Sequence, residues 1–185
     1  MSLFAAANVL YWRRTGEPTG LGATLLELAC AFFLIVRRPA RSTSRSPLAW
    51  LATALGTFGW LAARPGGHPL GGLDALYAGL QLAGLAVALA SILTLRRSFG
   101  LVAANRGVCS SGPYRLVRHP LYLGYFLTQV GYGLESPTNR NWAILAVVGA
   151  LQLLRIRAEE RCLSDDPAYA TYRERVRWRL LPQVV

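Results

Sequence analysis

Lysine is absent from this sequence, and charged residues of either sign are scarce. All 20 basic residues are arginine, against nine acidic ones, and charged residues make up 16% of the chain. A soluble domain carries roughly 25%. The arginines lie between long apolar runs and not along a polar face, which argues against a nucleic-acid partner. The composition favours a membrane protein with a basic cytoplasmic side that contacts membrane lipids.

Cysteine and histidine are also rare. Cys30, Cys109 and Cys162 are widely spaced, with no C-x-x-C pair, and the chain holds two histidines. This spacing supports neither a zinc site nor a disulfide framework, so we expect no metal.

The apolar runs predict an all-α integral membrane protein with about five transmembrane helices, since about 20 apolar residues cross a bilayer. The predicted spans are residues 21–36, 47–63, 73–95, 121–134 and 141–156. The last two, separated by "ESPTNRN", predict a helical hairpin. The opening "MSLFAAANVLYWRR" is more typical of an interfacial helix than of a signal peptide. We therefore expect one membrane domain over 1–185, with a three-helix part (1–95) and a second part (96–185).

Most arginines fall in the first-to-second loop, the third-to-fourth loop and the tail after residue 156. Five crossings put all three regions on one side. The positive-inside rule makes that side cytoplasmic, together with the C-terminal helical segment. A polar active site is expected where the third-to-fourth loop meets the tail.

The first candidate motif is the stretch "GPYRLVRHPLYLGYF". Pro120 suits the first turn of a helix, and His119 before it is biased away from helical backbone. Arg118 is then either a lipid anchor or, with His119, a group facing a polar ligand at a helix start. Tyr122 and Gly124 follow, and the glycine permits close approach of another helix or of a cofactor.

The second candidate is "RIRAEERCLSDDPAYATYRERVRWRLLP", in which Arg155 and Glu159 are four residues apart, a spacing that suits pairing on a helix surface. Glu159 and Glu160 lie just past the last predicted span, while "SDDP" predicts a helix break with an aspartate cap. In the next helix, Tyr169, Tyr172 and Val176 share a face at i, i+3 and i+7. An amphipathic helix on anionic lipid is the alternative interpretation.

Together the two motifs resemble the isoprenylcysteine carboxyl methyltransferase family, which is allied to the phospholipid N-methyltransferases. That family's pattern is R-H-P-x-Y-x-G, then E-E-x-x-L, then Y-x-x-Y-x-x-x-V and a final proline. The matching residues are Arg118, His119, Pro120, Tyr122, Gly124, Glu159, Glu160, Leu163, Tyr169, Tyr172, Val176 and Pro182. The resemblance covers the chain from Ser98 onward.

The resemblance implies a membrane methyltransferase that uses S-adenosyl-L-methionine, in a bacterial inner membrane with a cytoplasmic active site. The implied cofactor-binding residues are Arg118, His119, Pro120, Tyr122, Gly124, Glu159 and Glu160. Arg173 or Arg175 would clamp a carboxylate acceptor, with Tyr172 lining the site as a further catalytic residue. The expected acceptor is a lipophilic or prenylated molecule from the bilayer, most simply an isoprenylcysteine-like carboxylate.

Three alternatives stay open: methylation of a thiol or amine lipid, an NADPH-dependent lipid reductase, and a lipid-binding scaffold. Eukaryotic members usually have Phe-Gly where this chain has "DDP", and proline where it has Arg177. Both departures fall where the acceptor is expected.

Overall fold

The computed structural model describes residues 3–16 and 18–182, which are mostly helical. The helices are α1 (Leu3–Thr15), α2 (Pro18–Ile35), α3 (Pro47–Phe58), α4 (Asp74–Leu95), α5 (Pro120–Glu135), α6 (Asn139–Leu163) and α7 (Pro167–Arg175). Short 3-10 turns cover Gly59–Ala62, Arg96–Ser98 and Gly112–Arg115. Two strands, β1 (Ser42–Thr43) and β2 (Ala104–Asn105), pair in antiparallel fashion.

Every predicted apolar span forms a helix, but the helices differ in length. Among the described residues three are long and apolar enough to cross a membrane: Pro18–Ile35, Asp74–Ser98 and Asn139–Leu163. Pro47–Ala62 is a shorter apolar helix, and α5 has 16 residues, fewer than the about 20 needed for a full crossing. The helical class is therefore confirmed, while the count of five crossings stays a prediction.

The closest helix contact joins α4 to α5 through small residues. A Cβ atom on Gly124 would lie 2.6 Å from the carbonyl oxygen of Gly84 and 2.6 Å from the backbone nitrogen of Ala88. A Cβ atom on Gly131 would lie 3.0 Å from the carbonyl oxygen of Tyr77 and 3.0 Å from the backbone nitrogen of Gln81 on α4. Small residues let membrane helices approach until their backbones touch, so these glycines set the position of α5.

Helices α5 and α6 run antiparallel after a short turn. Gln152 Nε2 donates to Gln129 Oε1 at 3.3 Å, and Gly133 lies against Trp142. Asn141 is fully buried at the turn, where its amide donates to the carbonyl oxygens of Arg64 and Ser136 at 2.8 Å each. The α5–α6 pair is thereby fastened to the chain that follows α3.

The arginine-rich segments converge at the other end of the bundle. The β1–β2 pairing places Ser42 opposite Asn105, and the Ser42 hydroxyl donates to the Cys162 carbonyl at 3.4 Å. Helix α6 continues to Leu163, beyond the predicted span end at residue 156, because residues 157–163 hold good helix formers and no helix breaker. The two glutamates thus lie on α6 itself and not after its end.

Candidate active site

Glu160 lies at the centre of a charged cluster that joins the two sequence motifs. Its Oε1 lies 3.1 Å from both Nε and Nη2 of Arg118 and 3.3 Å from Nε2 of His119. On its other side, Arg179 Nη2 lies 3.1 Å from Oε2. The structure therefore brings together Arg118, His119 and Glu160, as the resemblance implies.

Arg118 also fastens the tail of the chain to this cluster. Its Nη1 donates to the carbonyl oxygens of Val176 at 3.3 Å and Arg177 at 3.0 Å. The backbone N–H groups of Arg118 and His119 donate to the carbonyl oxygens of Trp178 and Arg179 at 2.8 and 2.9 Å. The Arg118 guanidinium thus donates to acceptors within the protein. It links the residues before α5 to Glu160 on α6 and to the tail.

Glu159 forms the more open half of the cluster. Its Oε1 accepts a hydrogen bond from the buried hydroxyl of Tyr122, and its Oε2 lies 3.8 Å from His119 Nδ1. The Glu159 side chain is 26% exposed, against 14% for Glu160. Glu159 therefore keeps carboxylate acceptor capacity for a ligand, since a carboxylate accepts about four hydrogen bonds.

Pro120 and Gly124 serve the geometry of α5. Pro120 opens the helix, where its missing N–H would have no partner, and His119 before it is non-helical with φ −128° and ψ 57°. Gly124 contacts α4 at Gly84 and Ala88 and not the charged cluster. Close approach of another helix, one of the two possibilities raised by the sequence, is therefore observed at Gly124.

The tail helix is held by a cluster of tyrosines. Asp166 caps α7, accepting from the Ala168 N–H at 3.0 Å and from the Asn105 side-chain amide at 2.9 Å. Tyr169, Tyr172 and Val176 are buried together against Tyr114, so the predicted shared face exists.

Tyr172 belongs to this packing cluster, where its hydroxyl donates to the Tyr114 carbonyl at 2.8 Å. Burial raises the pKa of Tyr169 to about 12 and that of Tyr172 above its usual range. Both hydroxyls are therefore protonated at neutral pH.

A basic cavity of about 260 Å³ borders Glu160. Its lining residues are Arg157, Glu160, Arg161, Ser164, Arg173 and Arg179. Of the two predicted acceptor clamps, Arg173 lines this cavity, whereas Arg175 is exposed on α7 and does not. Within the described part of the chain, no three His, Cys, Asp or Glu residues come together as a metal-binding group.

Two further arginines contact the site, and the sequence indicated only Arg155, as a helix-surface partner for Glu159. Arg179 pairs with Glu160, and Arg155 lies with its guanidinium carbon 5.3 Å from the centre of the Tyr122 ring. The position of Arg155 in the apolar run "LLRI" also predicts a functional or paired residue, since a charge within such a run needs partners.

The fold has helices of membrane length, and a largely buried cluster of Arg, His, Glu and Tyr lies at its arginine-rich end. These features define the class of a helical membrane protein with a charged site. Residues 77–165, which contain that cluster apart from the tail, match the model of the isoprenylcysteine carboxyl methyltransferase (ICMT) family. The match to that family points to the class of membrane methyltransferases. The chain is also similar to the cobalt-zinc-cadmium resistance protein CzcN of Cupriavidus metallidurans, with 38% identity over 73 residues. This alignment covers 38% of the chain and 34% of that relative, so it spans about a third of the relative's length.

Proposed function

We propose that this protein is an S-adenosyl-L-methionine-dependent membrane methyltransferase that acts on a lipophilic acceptor at the cytoplasmic face of a bacterial inner membrane. The observation that carries the proposal is the meeting of His119, Tyr122, Glu159 and Glu160 in one cluster within the family-matched segment. Two motifs that lie about forty residues apart thus build a single site.

The residues of the cluster suit the cofactor's chemical groups. Glu159, with its free acceptor capacity, fits an ammonium group or ribose hydroxyls. The aromatic ring of Tyr122 fits packing against a purine or the methyl path. His119 lies between both carboxylates and can donate to the cofactor's carboxylate if Glu160 releases it.

When bound, the cofactor supplies a methyl group on a sulfonium, which is transferred by in-line displacement. Such a transfer to a carboxylate, thiolate or amine needs positioning and a dry site more than a general base. Arg173, which lines the cavity beside Glu160, is the proposed clamp for an acceptor carboxylate. Arg175, exposed at the end of the same helix, and Tyr172, buried on its packing face, are the other residues proposed for the acceptor side. An isoprenylcysteine-like carboxylate is the proposed acceptor.

Calorimetric titration of S-adenosyl-L-methionine into the detergent-solubilised protein tests the binding site. We expect saturable binding that weakens at least about tenfold in His119→Ala and Glu160→Ala, as loss of charge-assisted contacts implies. Glu174→Gln, an exposed acid on α7, is the control and should bind normally. Normal binding by both site variants would remove the site assignment, and preferential binding of NADPH would instead favour a reductase.

The acceptor is identified by incubating the protein with a membrane lipid extract and an isotopically labelled methyl donor. Mass spectrometry of the products should show label in a lipophilic ester. Label in a thioether or an amine headgroup would change the acceptor class and leave the methyltransferase standing.

A further inference from the structure

Arg155 is a buried charge that the family pattern does not include. Its side chain lies within α6, a helix of membrane length, and the residue is 6% exposed. A buried guanidinium costs several kcal/mol unless it is well paired. Ionisable residues inside membrane helices are therefore retained mainly where they serve a function.

The contacts of Arg155 join three separate parts of the chain. Its Nη1 donates to the Thr57 hydroxyl of α3 at 3.2 Å, and its Nη2 donates to the Leu101 carbonyl at 3.1 Å. The guanidinium carbon lies 5.3 Å from the centre of the Tyr122 ring. The hydrogen bonds at both terminal nitrogens hold the guanidinium beside that ring, while its buried Nε has no hydrogen-bond partner among the described residues.

Tyr122 passes this constraint on to the candidate site. The ring is buried between Arg155 and Glu159, and its hydroxyl donates to Glu159. The position of the ring therefore determines where the carboxylate of Glu159 is held. Glu159 is also one helical turn from Arg155 on α6, a spacing at which opposite charges attract.

We propose that Arg155 is a positioning residue. It holds the Tyr122 ring, and the Tyr122 hydroxyl in turn orients Glu159 toward the ligand. The ligand assignment depends on the function proposed above, whereas the orientation of Tyr122 and Glu159 does not. A purely structural role needs only the bonds to Thr57 and Leu101. The additional contact with the Tyr122 ring lets Arg155 affect the position of the Glu159 carboxylate.

The orientation is tested without any cofactor by 19F NMR of protein labelled with 3-fluorotyrosine. Loss of one resonance in Tyr122→Phe identifies Tyr122. In the otherwise unchanged protein, Glu159→Gln should shift this resonance, because the hydroxyl loses its carboxylate acceptor. In an Arg155→Gln background we expect this response to disappear, since the ring is no longer held beside Glu159. An equal response to Glu159→Gln with and without Arg155 overturns the proposal.

Arg140→Gln is the matched control, because Arg140 is an exposed arginine at the far end of the same helix. It removes the same charge and should leave the Tyr122 resonance and its response unchanged. Should Arg155→Gln fail to fold, Arg155→Lys replaces it, since an ammonium keeps the charge but cannot stack on the ring as a planar guanidinium does. The same loss of response is expected, and a full response overturns the proposal.

Cofactor affinity provides the second readout. We expect Arg155→Gln to weaken S-adenosyl-L-methionine binding about tenfold, the size of effect typical of residues that orient a ligand-binding group. The double variant Arg155→Gln/Tyr122→Phe should bind S-adenosyl-L-methionine no more weakly than Tyr122→Phe alone. Both substitutions disrupt the same series of contacts from Arg155 through Tyr122 to Glu159, so their effects should not add. If the fold-losses of affinity in the two single variants multiplied in the double variant, the positioning role would be contradicted. An absence of binding by the unaltered protein would refute the proposed function and leave the NMR result to decide the role of Arg155.

Discussion

Arg118 and Glu160 form an ion pair at 3.1 Å across 42 positions of the chain. This pair joins the start of α5 to the end of α6, and Arg179 approaches the same carboxylate from the tail. The charge of Glu160 is thus shared by two arginines, only one of which is buried.

Loss of the Glu160 charge should destabilise the protein. In Glu160→Gln the buried Arg118 loses its counter-charge, and we expect the free energy of unfolding to fall by about 3 kcal/mol, as for other broken buried pairs. Denaturant unfolding in detergent, followed by circular dichroism, measures this change. Glu174→Gln removes an exposed carboxylate and should change stability little. Equal effects of the two substitutions would show that the pair adds no stability.

A side chain at Gly124 should push α4 and α5 apart. In Gly124→Ala the new methyl group would lie 2.6 Å from backbone atoms of Gly84 and Ala88, and overpacking of this kind costs about 1 to 3 kcal/mol. Gly149→Ala is the matched control on α6, because nothing lies within 4 Å of its Cβ position. It should be neutral or slightly stabilising, since alanine is the better helix former. Thermal unfolding of both variants compares them, and a neutral Gly124→Ala would disprove the close contact.

Substitution of Asn141 should lower the free energy of unfolding far more than substitution of a surface asparagine. Asn141→Ala removes two hydrogen bonds donated to backbone carbonyls and one accepted from the Arg64 N–H at 3.1 Å. The expected loss is about 2 to 3 kcal/mol, since each buried hydrogen bond contributes about 1 kcal/mol. Asn139→Ala, at an exposed position two residues earlier, is the comparison. Similar unfolding curves for the two variants would contradict the role of Asn141 at the turn.

Asp166 should make the tail helix sensitive to acid. The hydrogen bond from Asn105, with the Ala168 N–H and Arg41, lowers the pKa of this carboxyl below its ordinary 3.8. A carboxyl whose pKa is lower in the folded protein stabilises the fold above its unfolded pKa and loses that contribution as the pH falls through the folded value. The melting temperature of the unaltered protein should therefore exceed that of Asp166→Ala near neutral pH, and the gap should begin to narrow below about pH 3.8 and shrink further as the pH falls. Melting curves across pH 2 to 7 check this, and a gap as wide at the lowest pH as at neutral pH would contradict the assignment.

Local features of the fold were predictable because they depend on neighbouring residues. The apolar runs became helices, Asp166 became the cap before Pro167, and Tyr169, Tyr172 and Val176 came to share a buried face. In each case periodicity or capping chemistry within a few residues decides the outcome.

The site was less predictable because its contacts join distant positions. Resemblance to a family united Arg118 and His119 with the glutamates, whereas spacing alone favoured a lipid anchor. The bond from Arg155 to Thr57 spans 98 positions, and no local pattern indicates it. Nor does sequence distinguish a glycine that admits a helix from one that admits a ligand, which is why the place of Gly124 against α4 required the structure.

The β1–β2 pairing bears on how such proteins can be recombined. Ser42 lies opposite Asn105, the residue whose amide reaches Asp166 on the tail. A chimaera that takes its first three helices from a relative would carry a foreign loop into this ribbon. Chimaeras that keep residues 41–44 of this chain should assemble. Chimaeras that exchange these residues should hold α7 less firmly, although every residue of the charged cluster is retained.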